Sequence, residues 1–537
     1  MASARAARGG RGARRDEPLR LATAAEMRAL DGLTIERYGT PGHVLMERAG
    51  RGATAVLLQC FPRLRRKGRR AVIVAGKGNN GGDGFVIARL LRRRGVRAEV
   101  VLLGRAAELR GDAARMLNAY TRGRGPVREI TDAAGLGALQ STVASADLVV
   151  DAIFGTGLDK PVRGLHADAI ELINAAGVPV FAVDIPSGLN ADTGVPMGTA
   201  VQAEATATFG FAKLGQALYP GVRHCGQLAV VDIGLAPQAV AEHAPRAALL
   251  GEADAARLVP TRPADAHKGD CGHVLVIAGS FGKTGAAQLA ARAAARVGAG
   301  LVTVVAPASL YAVYAAGVLE AMTEALPDDD GRIRFDATRL QQMLEGKTAV
   351  VIGPGVGTHE GAARTVQWLL AHTTLPIVVD ADAITVLSRD LSTLRTAAGR
   401  ALLTPHPGEM SRLLGCDTAA VQSDRAGTAR RFAAEHGCVL VLKGARSVIA
   451  DGSGSLWVNP TGNPGMAAGG MGDVLSGILG GLLAQGMRTA DAACLGVYLH
   501  GAVADRVATD GEVGLVASDL LPGLRPGLQA LRTALDV

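Results

Sequence analysis

Residues 463–473 read Asn463-Pro464-Gly465-Met466-Ala467-Ala468-Gly469-Gly470-Met471-Gly472-Asp473, and an apolar helical pattern, Val474-Leu475-Ser476-Gly477-Ile478-Leu479, follows at once. A glycine-rich loop that leads into a helix directs unpaired backbone N–H groups and the positive end of the helix dipole at one point, which favours an anion there. On its own, this stretch is equally typical of an ordinary capped helix. Beside a bound phosphate, however, Asp473 is placed to accept a proton from an attacking hydroxyl.

The size and composition of the chain predict a two-domain α/β protein. It has 537 residues, 48% hydrophobic and 20% charged, which is more than one core usually supports. The net charge of +8 could indicate nucleic-acid binding, but residues 1–20 hold six Arg against Asp16 and Glu17 and so supply half of it. Residues 63–70 form a second basic run without interleaved aromatic residues, which we interpret as a solvated surface rather than an RNA-binding one. We therefore expect no nucleic-acid partner.

The cysteines and the apolar segments favour a cytoplasmic protein. The six cysteines are scattered without the short paired spacing of zinc or redox sites. Residues 298–322 are broken by Pro307 and Ser309, so they predict a strand and a helix rather than a membrane span. Residues 1–18 lack the apolar core of a secretory signal and predict a disordered basic tail, with an organelle transit peptide as the alternative.

The first half of the chain alternates strand and helix patterns. After helical patterns at residues 22–38 and 43–59, residues 71–75 predict a strand, residues 77–84 a glycine loop and residues 85–94 a helix. Further strand patterns occur at residues 98–103, 148–151, 180–184, 205–209 and 228–232. This alternation predicts a Rossmann-like, doubly wound domain over residues 19–236.

Polar side chains follow three of these predicted strands, where such a fold binds its ligands. The candidates are Asn79, Asn80 and Asp83 after the first, Asp151 at the end of another, and Asp184 with Ser187 after a third. The oxygens of Asn80, Asp151 and Ser187 are hard ligands that suit a hard cation. Residues 78–84 do not match G-x-G-x-x-G, which disfavours ordinary hydride transfer.

Two motifs of this half, Gly78-Asn79-Asn80-Gly81-Gly82-Asp83-Gly84 and Asp184-Ile185-Pro186-Ser187-Gly188-Leu189, resemble the NAD(P)H-hydrate epimerase family over residues 21–235. The resemblance implies interconversion of the epimers of hydrated NADH or NADPH, with K⁺ at Asn80, Asp151 and Ser187. It implies a substrate pocket lined by Asn79, Asn80, Gly81, Gly82, Asp83, Gly155, Thr156, Gly157, Leu158, Asp159, Lys160, Pro161 and Asp184. Asp151 and Asp184 are the candidate catalytic bases.

Residues 237–250 contain prolines without periodicity and predict a linker, and residues 251–537 predict a second doubly wound domain. Its strand patterns lie at residues 273–278, 301–306, 349–352, 377–380, 401–404 and 439–443. His406 stands between two prolines at a strand end, which favours ligand contact over a structural role. Lys443 ends the next strand and suits a phosphate pocket, with a solvated strand end as the alternative.

Four motifs of this half resemble the ADP-dependent NAD(P)H-hydrate dehydratase family, of ribokinase-like fold, over residues 258–531. They are Gly353-Pro354-Gly355, Asp380-Ala381-Asp382-Ala383, Thr404-Pro405-His406-Pro407-Gly408-Glu409 and Gly462-Asn463-Pro464-Gly465-Met466-Ala467. The resemblance implies hydrated nicotinamide near Ala286, Gly355, His406 and Asp473, and adenine nucleotide near Lys443, Gly444, Ala445, Arg446, Ser447 and Gly472. Met471 departs from the family, which usually has a small hydroxyl residue between the glycines, and Ile384-Thr385 replaces its usual Leu-Asn.

Together, the two resemblances imply a bifunctional nicotinamide nucleotide repair enzyme. Asp473 would deprotonate the hydroxyl of the hydrate as it attacks the terminal phosphate of ADP, with Mg²⁺ and the glycine-loop amides stabilising the developing charge. We expect small-molecule substrates, no membrane partner and a homo-oligomer. The alternatives are an ATP-dependent small-molecule kinase and, for the N-terminal half, a non-catalytic binding module.

Overall fold

The computed structural model describes residues 18–535, and the chain divides into two compact units, Met1–Ala247 and Ala248–Val537. Almost all of the expected basic tail, residues 1–17, lies outside the described residues. Both units alternate strands and helices around mainly parallel sheets, which confirms the predicted α/β class.

The first unit has these strands: β1 Leu19–Ala22, β2 Arg70–Ala75, β3 Arg97–Leu103, β4 Val127–Ile130, β5 Leu148–Ala152, β6 Val180–Val183, β7 Ala205–Phe209, β8 Ala212–Lys213 and β9 Gln227–Val231. Its α-helices are α1 Ala24–Gly32, α2 Gly42–Cys60, α3 Asn79–Arg93, α4 Gly111–Arg122, α5 Leu136–Ala144, α6 Leu165–Ala175, α7 Leu214–Ala217, α8 Gly221–Cys225 and α9 Pro237–Glu242.

Seven of these strands form a parallel sheet within the described residues, in the order β4-β3-β2-β5-β6-β7-β9. Alternate side chains of β2 enter different cores: Ala71 and Ile73 join one, Val72 and Val74 the other. A strand that is apolar on both faces must be covered on both, as in a doubly wound sheet. The carboxyl ends of β2, β5 and β6 therefore meet at one edge.

The glycine motif after β2 is helical, whereas the sequence predicted a loop over residues 77–84. Helix α3 begins at Asn79 and includes Gly81, Gly82 and Gly84. A Cβ built at Gly81 would overlap the carbonyl oxygen of Gly76, and one at Gly84 would overlap the side chain of Ala152. The glycines therefore let the first turns of the helix lie directly against the strand ends, and this close packing outweighs their low helix propensity.

The second unit has these strands after β10 Ala247–Leu249, which spans the boundary: β11 His273–Ile277, β12 Leu301–Pro307, β13 Met322–Leu326, β14 Asp328–Asp329, β15 Arg332–Ile333, β16 Ala349–Ile352, β17 Ile377–Val379, β18 Ala401–Leu403, β19 Val439–Leu442, β20 Val448–Ala450 and β21 Leu456–Val458. Its α-helices are α10 Glu252–Arg257, α11 Thr284–Arg296, α12 Tyr311–Gly317, α13 Ala337–Leu344, α14 Glu360–His372, α15 Ala381–Leu387, α16 Pro407–Leu414, α17 Thr418–Ser423, α18 Arg425–His436, α19 Met471–Ala484, α20 Thr489–Val507 and α21 Ala517–Thr533.

The strands of this unit run in the order β13-β12-β11-β16-β17-β18-β19-β20-β21, parallel as far as β19 and antiparallel beyond it. Helix α19 lies against α11, and a Cβ at Gly477 would overlap the carbonyl oxygen of Ala290. Small residues at this crossing bring the two helices close together. The start of α19 is thereby held over the carboxyl edge of the sheet.

Residues 237–250, predicted as a linker, contain the ordered elements α9 and β10. Residues 298–322 form strand β12 and helix α12, as expected. No helix among the described residues is long and apolar enough to cross a membrane. The sequence missed nine short strands of two to five residues, which are too short to give a clear apolar run: β1, β4, β8, β10, β13, β14, β15, β20 and β21.

Candidate active sites

The structure brings Asn80, Asp151 and Ser187, the three predicted K⁺ ligands, to one edge of the first sheet. The Ser187 hydroxyl donates to Asp151 Oδ1 at 2.6 Å, and the Ser187 backbone N–H donates to Oδ2 at 2.8 Å. Asn80 Nδ2 donates to the carbonyl oxygen of Phe154 at 2.9 Å, and the backbone N–H of Phe154 donates to the Ser187 hydroxyl at 2.8 Å. The strand ends and the first turn of α3 are thus joined in one network.

The electrostatics of this network fit a monovalent cation. Asp151 is fully buried, and its burial raises the pKa of the carboxyl to about 6, although hydrogen bonds from Ser187 and Ile153 lower it. Asn80 Oδ1 is buried without a hydrogen-bond partner in the described residues. An unpartnered buried oxygen beside a buried carboxylate is a donor set that a K⁺ ion would satisfy.

Asp184, the other candidate base, is paired with a lysine that sequence reasoning missed. Lys213 on β8 is 1% exposed, and its Nζ donates to Asp184 Oδ1 at 2.6 Å. Nζ also donates to the hydroxyl of Thr208 at 2.8 Å. Asp184 has φ +66°, a conformation that costs about 1–3 kcal/mol for a residue other than glycine. A lone lysine in the apolar stretch after β7 was the signal that could have identified this pair.

Two further carboxyls interact with this ion pair. Asp83 on α3 is 8% exposed, and its pKa lies well above the usual value because of burial and the charges of Asp184 and Asp31. Burial also raises the pKa of Asp31 on α1 to about 6, with Lys213 lowering it and Asp184 raising it. Asp31 was not among the predicted site residues.

The remaining predicted pocket residues, Gly155, Thr156, Gly157, Leu158, Asp159, Lys160 and Pro161, follow β5 in a partly exposed loop. A Cβ at Gly155 would lie 3.4 Å from both Asn80 Oδ1 and Asp184 Oδ2. Gly155 therefore stands between the candidate cation site and the candidate base. Its lack of a side chain leaves room there for a ligand.

In the second unit, Asp473 lies in the first turn of α19, as predicted. Gly470 precedes the helix with φ +86°, a conformation that favours glycine, and Met471 is buried in the core. Burial raises the pKa of Asp473 to about 6; Asp380 raises it further, and Lys443 opposes both. A carboxyl with this pKa is mostly ionised at neutral pH, yet it is more basic than an exposed aspartate.

Lys443 is anchored beside Asp473 by Asp380, the residue that follows β17. Its Nζ donates to Asp380 Oδ1 at 2.8 Å, and the hydroxyl of Ser476 donates to Asp380 Oδ2 at 2.7 Å. Burial disfavours the Lys443 ammonium, but Asp380 and Glu409 more than offset this and raise its pKa. A Cβ at Gly472 would lie 3.4 Å from Lys443 Nζ, so the loop and the lysine face each other.

His406 lies at the same edge, but part of its hydrogen-bonding capacity is used locally. Its Nδ1 accepts from the backbone N–H groups of Gly408 at 3.0 Å and Glu409 at 3.2 Å, so the ring caps helix α16. Glu409 in turn accepts from the backbone N–H of His406 at 2.8 Å and lies 3.8 Å from Lys443 Nζ. The side chain remains 51% exposed, and its Nε2 lies 3.5 Å from Glu409 Oε1, so the second ring nitrogen also faces Glu409.

Ala286 and Gly355 are neighbours, since a Cβ at Gly355 would lie 3.2 Å from that of Ala286. Next to them, Lys283 donates to Asp382 at 3.1 Å, and Asp382 also accepts from the backbone N–H of Gly357 at 2.9 Å. The predicted nucleotide-binding residues Lys443, Gly444, Ala445, Arg446 and Ser447 form the turn between β19 and β20. Asp380, Asp382, Lys283 and Ser476 were not predicted as site residues, although two of them lie in a quoted motif.

Comparison with known proteins places each half of the chain in a known family. The model of the NAD(P)H-hydrate dehydratase family matches residues 274–524, and that described as YjeF-related protein N-terminus matches residues 42–215. A bifunctional NAD(P)H-hydrate repair enzyme of Moorella thermoacetica is 44% identical over 93% of this chain and 95% of its own length. One from Coxiella burnetii is 40% identical over 93% of this chain and 97% of its own length.

Among solved structures, the ADP/ATP-dependent NAD(P)H-hydrate dehydratase from Bacillus subtilis, co-crystallised with ATP and Mg²⁺, is 31% identical. The match covers 53% of this chain and 98% of the Bacillus subtilis chain, with a TM-score of 0.46. The two family models fall on the two units, and the relatives extend over almost the whole chain. The chain therefore belongs to the family of bifunctional NAD(P)H-hydrate repair enzymes, which confirms the family resemblance of its motifs.

Proposed function

We propose that the N-terminal unit interconverts the R and S epimers of hydrated NADH and NADPH. The C-terminal unit dehydrates the S form at the expense of ADP, which yields AMP and phosphate. One observation carries the dehydratase assignment: Asp473, with a pKa of about 6, lies beside Lys443 in the first turn of a helix whose N-terminus faces the sheet edge. A base and an anion-binding helix start are thus adjacent.

Asp473 accepts the proton of the ring hydroxyl as that oxygen attacks the terminal phosphorus of ADP, and AMP leaves. The C–O bond of the resulting phosphate ester then breaks, and phosphate leaves with the bonding electrons, assisted by the lone pair of the ring nitrogen. Loss of a proton from the neighbouring carbon restores the dihydronicotinamide. A hydroxyl is a poor leaving group, and phosphorylation makes it a good one.

The anion stabilisation comes from groups whose positions are fixed before the substrate binds. The unpaired N–H groups at the start of α19 and the Lys443 ammonium face one region, and Asp380 holds the lysine there. Such preorganised donors stabilise charge that develops on the transferred phosphate. Met471 lacks the hydroxyl that is usual in the family, but it retains its own backbone N–H donor. Its side chain is buried in the core.

A nucleotide-bound Mg²⁺ fits the acidic character of this edge. The charges of Asp380 and Asp382 both raise the pKa of Asp473, so three carboxylates lie in the same region. Within residues 18–535, no group of three His, Cys, Asp or Glu side chains is arranged to hold a metal ion by itself. Mg²⁺ in nucleotide sites is usually held by one or two carboxylates together with phosphates and water. The ion would neutralise phosphate charge.

In the N-terminal unit, Asn80, Asp151 and Ser187 would hold K⁺, which would orient the hydrate and offset the buried charge of Asp151. Asp184 is the proton acceptor that the surroundings favour, because Asp151 is engaged by Ser187 through both carboxylate oxygens. Lys213 holds Asp184 in place beside Gly155, where the ring would bind.

The decisive experiment follows both hydrate epimers over time, with ADP and with ATP, in the wild type and in Asp473→Asn. The variant should lose ~10²–10⁴ in dehydratase rate and keep both ADP affinity and epimerase activity. Asp519→Asn is the matched control, since Asp519 occupies the same position in the first turn of α21. Near-normal dehydration by Asp473→Asn would reject Asp473 as the base, and a stable phosphorylated product would indicate a kinase.

We further propose a cytoplasmic location and a homo-oligomeric assembly. The six cysteines are all unpaired thiols, which suits a reducing compartment. Light scattering of the purified chain and fractionation of cells would test the two proposals separately.

A further inference from the structure

Four ionisable side chains from four separate elements of the N-terminal unit lie close enough for their charges to act on one another, and those charges do not cancel. They are Asp31 on α1, Asp83 on α3, Asp184 after β6 and Lys213 on β8. Three of them, Asp83, Asp184 and Lys213, are between 1% and 8% exposed. If all four were ionised, this buried cluster would carry two net negative charges, which is strongly unfavourable away from water.

Lys213 neutralises only one of the three carboxylates. Its Nζ contacts Asp184 Oδ1 at 2.6 Å and uses its remaining hydrogen bonds on Thr208 and on backbone carbonyls. Oδ1 of Asp31 is buried and has no hydrogen-bond partner within the described residues. A buried carboxylate oxygen left in this state is stabilised by a proton on itself or on a neighbouring carboxyl.

We propose that Asp31 and Asp83 hold one proton between them at neutral pH, and that this proton keeps Asp184 ionised and paired with Lys213. Asp31 and Asp83 are then positioning residues of the epimerase, because they act through Asp184. This inference rests on the proposed assignment of epimerase activity to the N-terminal unit.

The charge interactions within this cluster support the proposal. The charges of Asp184 and Asp31 raise the pKa of Asp83, and that of Lys213 lowers it. The charge of Lys213 lowers the pKa of Asp31, and that of Asp184 raises it. Burial is the main cause of the raised pKa of both carboxyls, to about 6 for Asp31, and Asp83 is the more deeply buried of the two, so the shared proton resides mainly on Asp83. Loss of that proton at high pH would place a second uncompensated charge beside Asp184.

The test measures epimer exchange by the full-length protein as a function of pH, corrected for the spontaneous reaction. Above pH 6 the charge of Asp31 opposes ionisation of Asp83, so Asp31→Asn should let Asp83 lose its proton at lower pH. The alkaline limb of the epimerase profile should then move down by on the order of one pH unit. Asp31→Glu, which keeps the charge, should leave the limb where it is.

Glu36→Gln is the matched control, since it removes the same charge from an exposed position just after α1. The dehydratase activity of the same molecule reports folding of the other unit, and thermal unfolding reports the stability of the variant. If the alkaline limb of Asp31→Asn stayed at the wild-type pH, the proposal would be overturned. This holds even if the variant is less stable than the wild type. Absence of epimerase activity from the wild type would instead reject the functional assignment.

A second measurement does not depend on the folding of Asp31→Asn. The infrared carboxylic-acid carbonyl band of the wild type should persist at pH 8, where Asp31, Asp151 and Asp473 have ionised. It should be missing from Asp83→Asn. Absence of such a band from the wild type would show that the cluster holds no proton and would reject the proposal.

Discussion

At the scale of single residues, both sites keep a carboxyl group in surroundings that disfavour its charge. Burial is the largest cause of the raised pKa of Asp151 and of Asp473. The ionised form of each is therefore less stable in the folded protein than in the unfolded chain. Groups of this kind are typical of catalytic and ligand-binding sites, where function outweighs stability.

Asp473→Asn should therefore stabilise the C-terminal unit as it inactivates it. The destabilising charge is fully present above the folded pKa of about 6 and disappears as pH falls towards the unfolded value of 3.8. We expect a gain on the order of 2 kcal/mol at pH 8, and a smaller one at pH 5. Thermal unfolding of both proteins at the two pH values measures the difference. A variant less stable than the wild type at pH 8 would contradict this account.

Dehydratase activity itself should decline as pH falls below about 6, because protonated Asp473 cannot accept the hydroxyl proton. The measurement is kcat/KM for the S epimer between pH 5 and 8, with ADP saturating. The Asp519→Asn control should show the wild-type profile. A profile that stays flat down to pH 5 would mean that another group accepts the proton.

Asp151→Ala should abolish the K⁺ dependence of epimer exchange, whereas Ser187→Ala should weaken it. Asp151 supplies the only formal negative charge among the three candidate ligands, so its loss removes the main electrostatic anchor for the ion. The assay compares K⁺ with a large organic cation for each variant and records thermal unfolding in parallel. If Asp151→Ala lost stability but kept K⁺ activation, Asp151 would serve only to hold the turn at Ser187.

At the scale of elements, glycine decides where two of the functional helices lie. The first turns of α3 touch the strand ends because Gly81 has no Cβ, and α19 touches α11 because Gly477 has none. In both cases a helix N-terminus is brought to the carboxyl edge of a sheet. Close packing of backbone on backbone thus determines the position of each site.

Gly81→Ala should destabilise the N-terminal unit by about 2–3 kcal/mol, because the new methyl group would overlap the carbonyl oxygen of Gly76. Gly78→Ala is the control from the same motif, since a Cβ there has nothing within 4 Å and its φ of −88° suits alanine. Denaturant unfolding of the two variants and the wild type gives the comparison. Equal stability of the two variants would refute the packing argument.

At the scale of the whole molecule, each unit has its own sheet, its own apolar core and its own candidate site. A unit with a complete core is expected to fold alone. Residues 248–537 expressed separately should therefore convert one hydrate epimer in the presence of ADP and leave the other. Equal consumption of both epimers, after correction for spontaneous exchange, would contradict the division of activities.

The sequence by itself determined the α/β class, most of the strands and the family. Those features are local: a buried parallel strand is a short apolar run, and a motif is a set of neighbouring residues. Strands such as β16 and β7 therefore have the predicted bounds. The helical start of α3 was missed because glycine propensity is also local, whereas the contact with Gly76 that overrides it is tertiary.

Only the tertiary structure decided which charges act on one another. Asp184 and Lys213 are 29 residues apart, and Asp380 and Lys443 are 63 apart, yet each pair is in direct contact. Asp31 lies on a helix that no motif links to the site. The pKa of a carboxyl depends on its burial and on the charges that the fold brings near it, and neither quantity is encoded in adjacent residues. The proton-accepting properties of both sites therefore arise from the packing of distant segments.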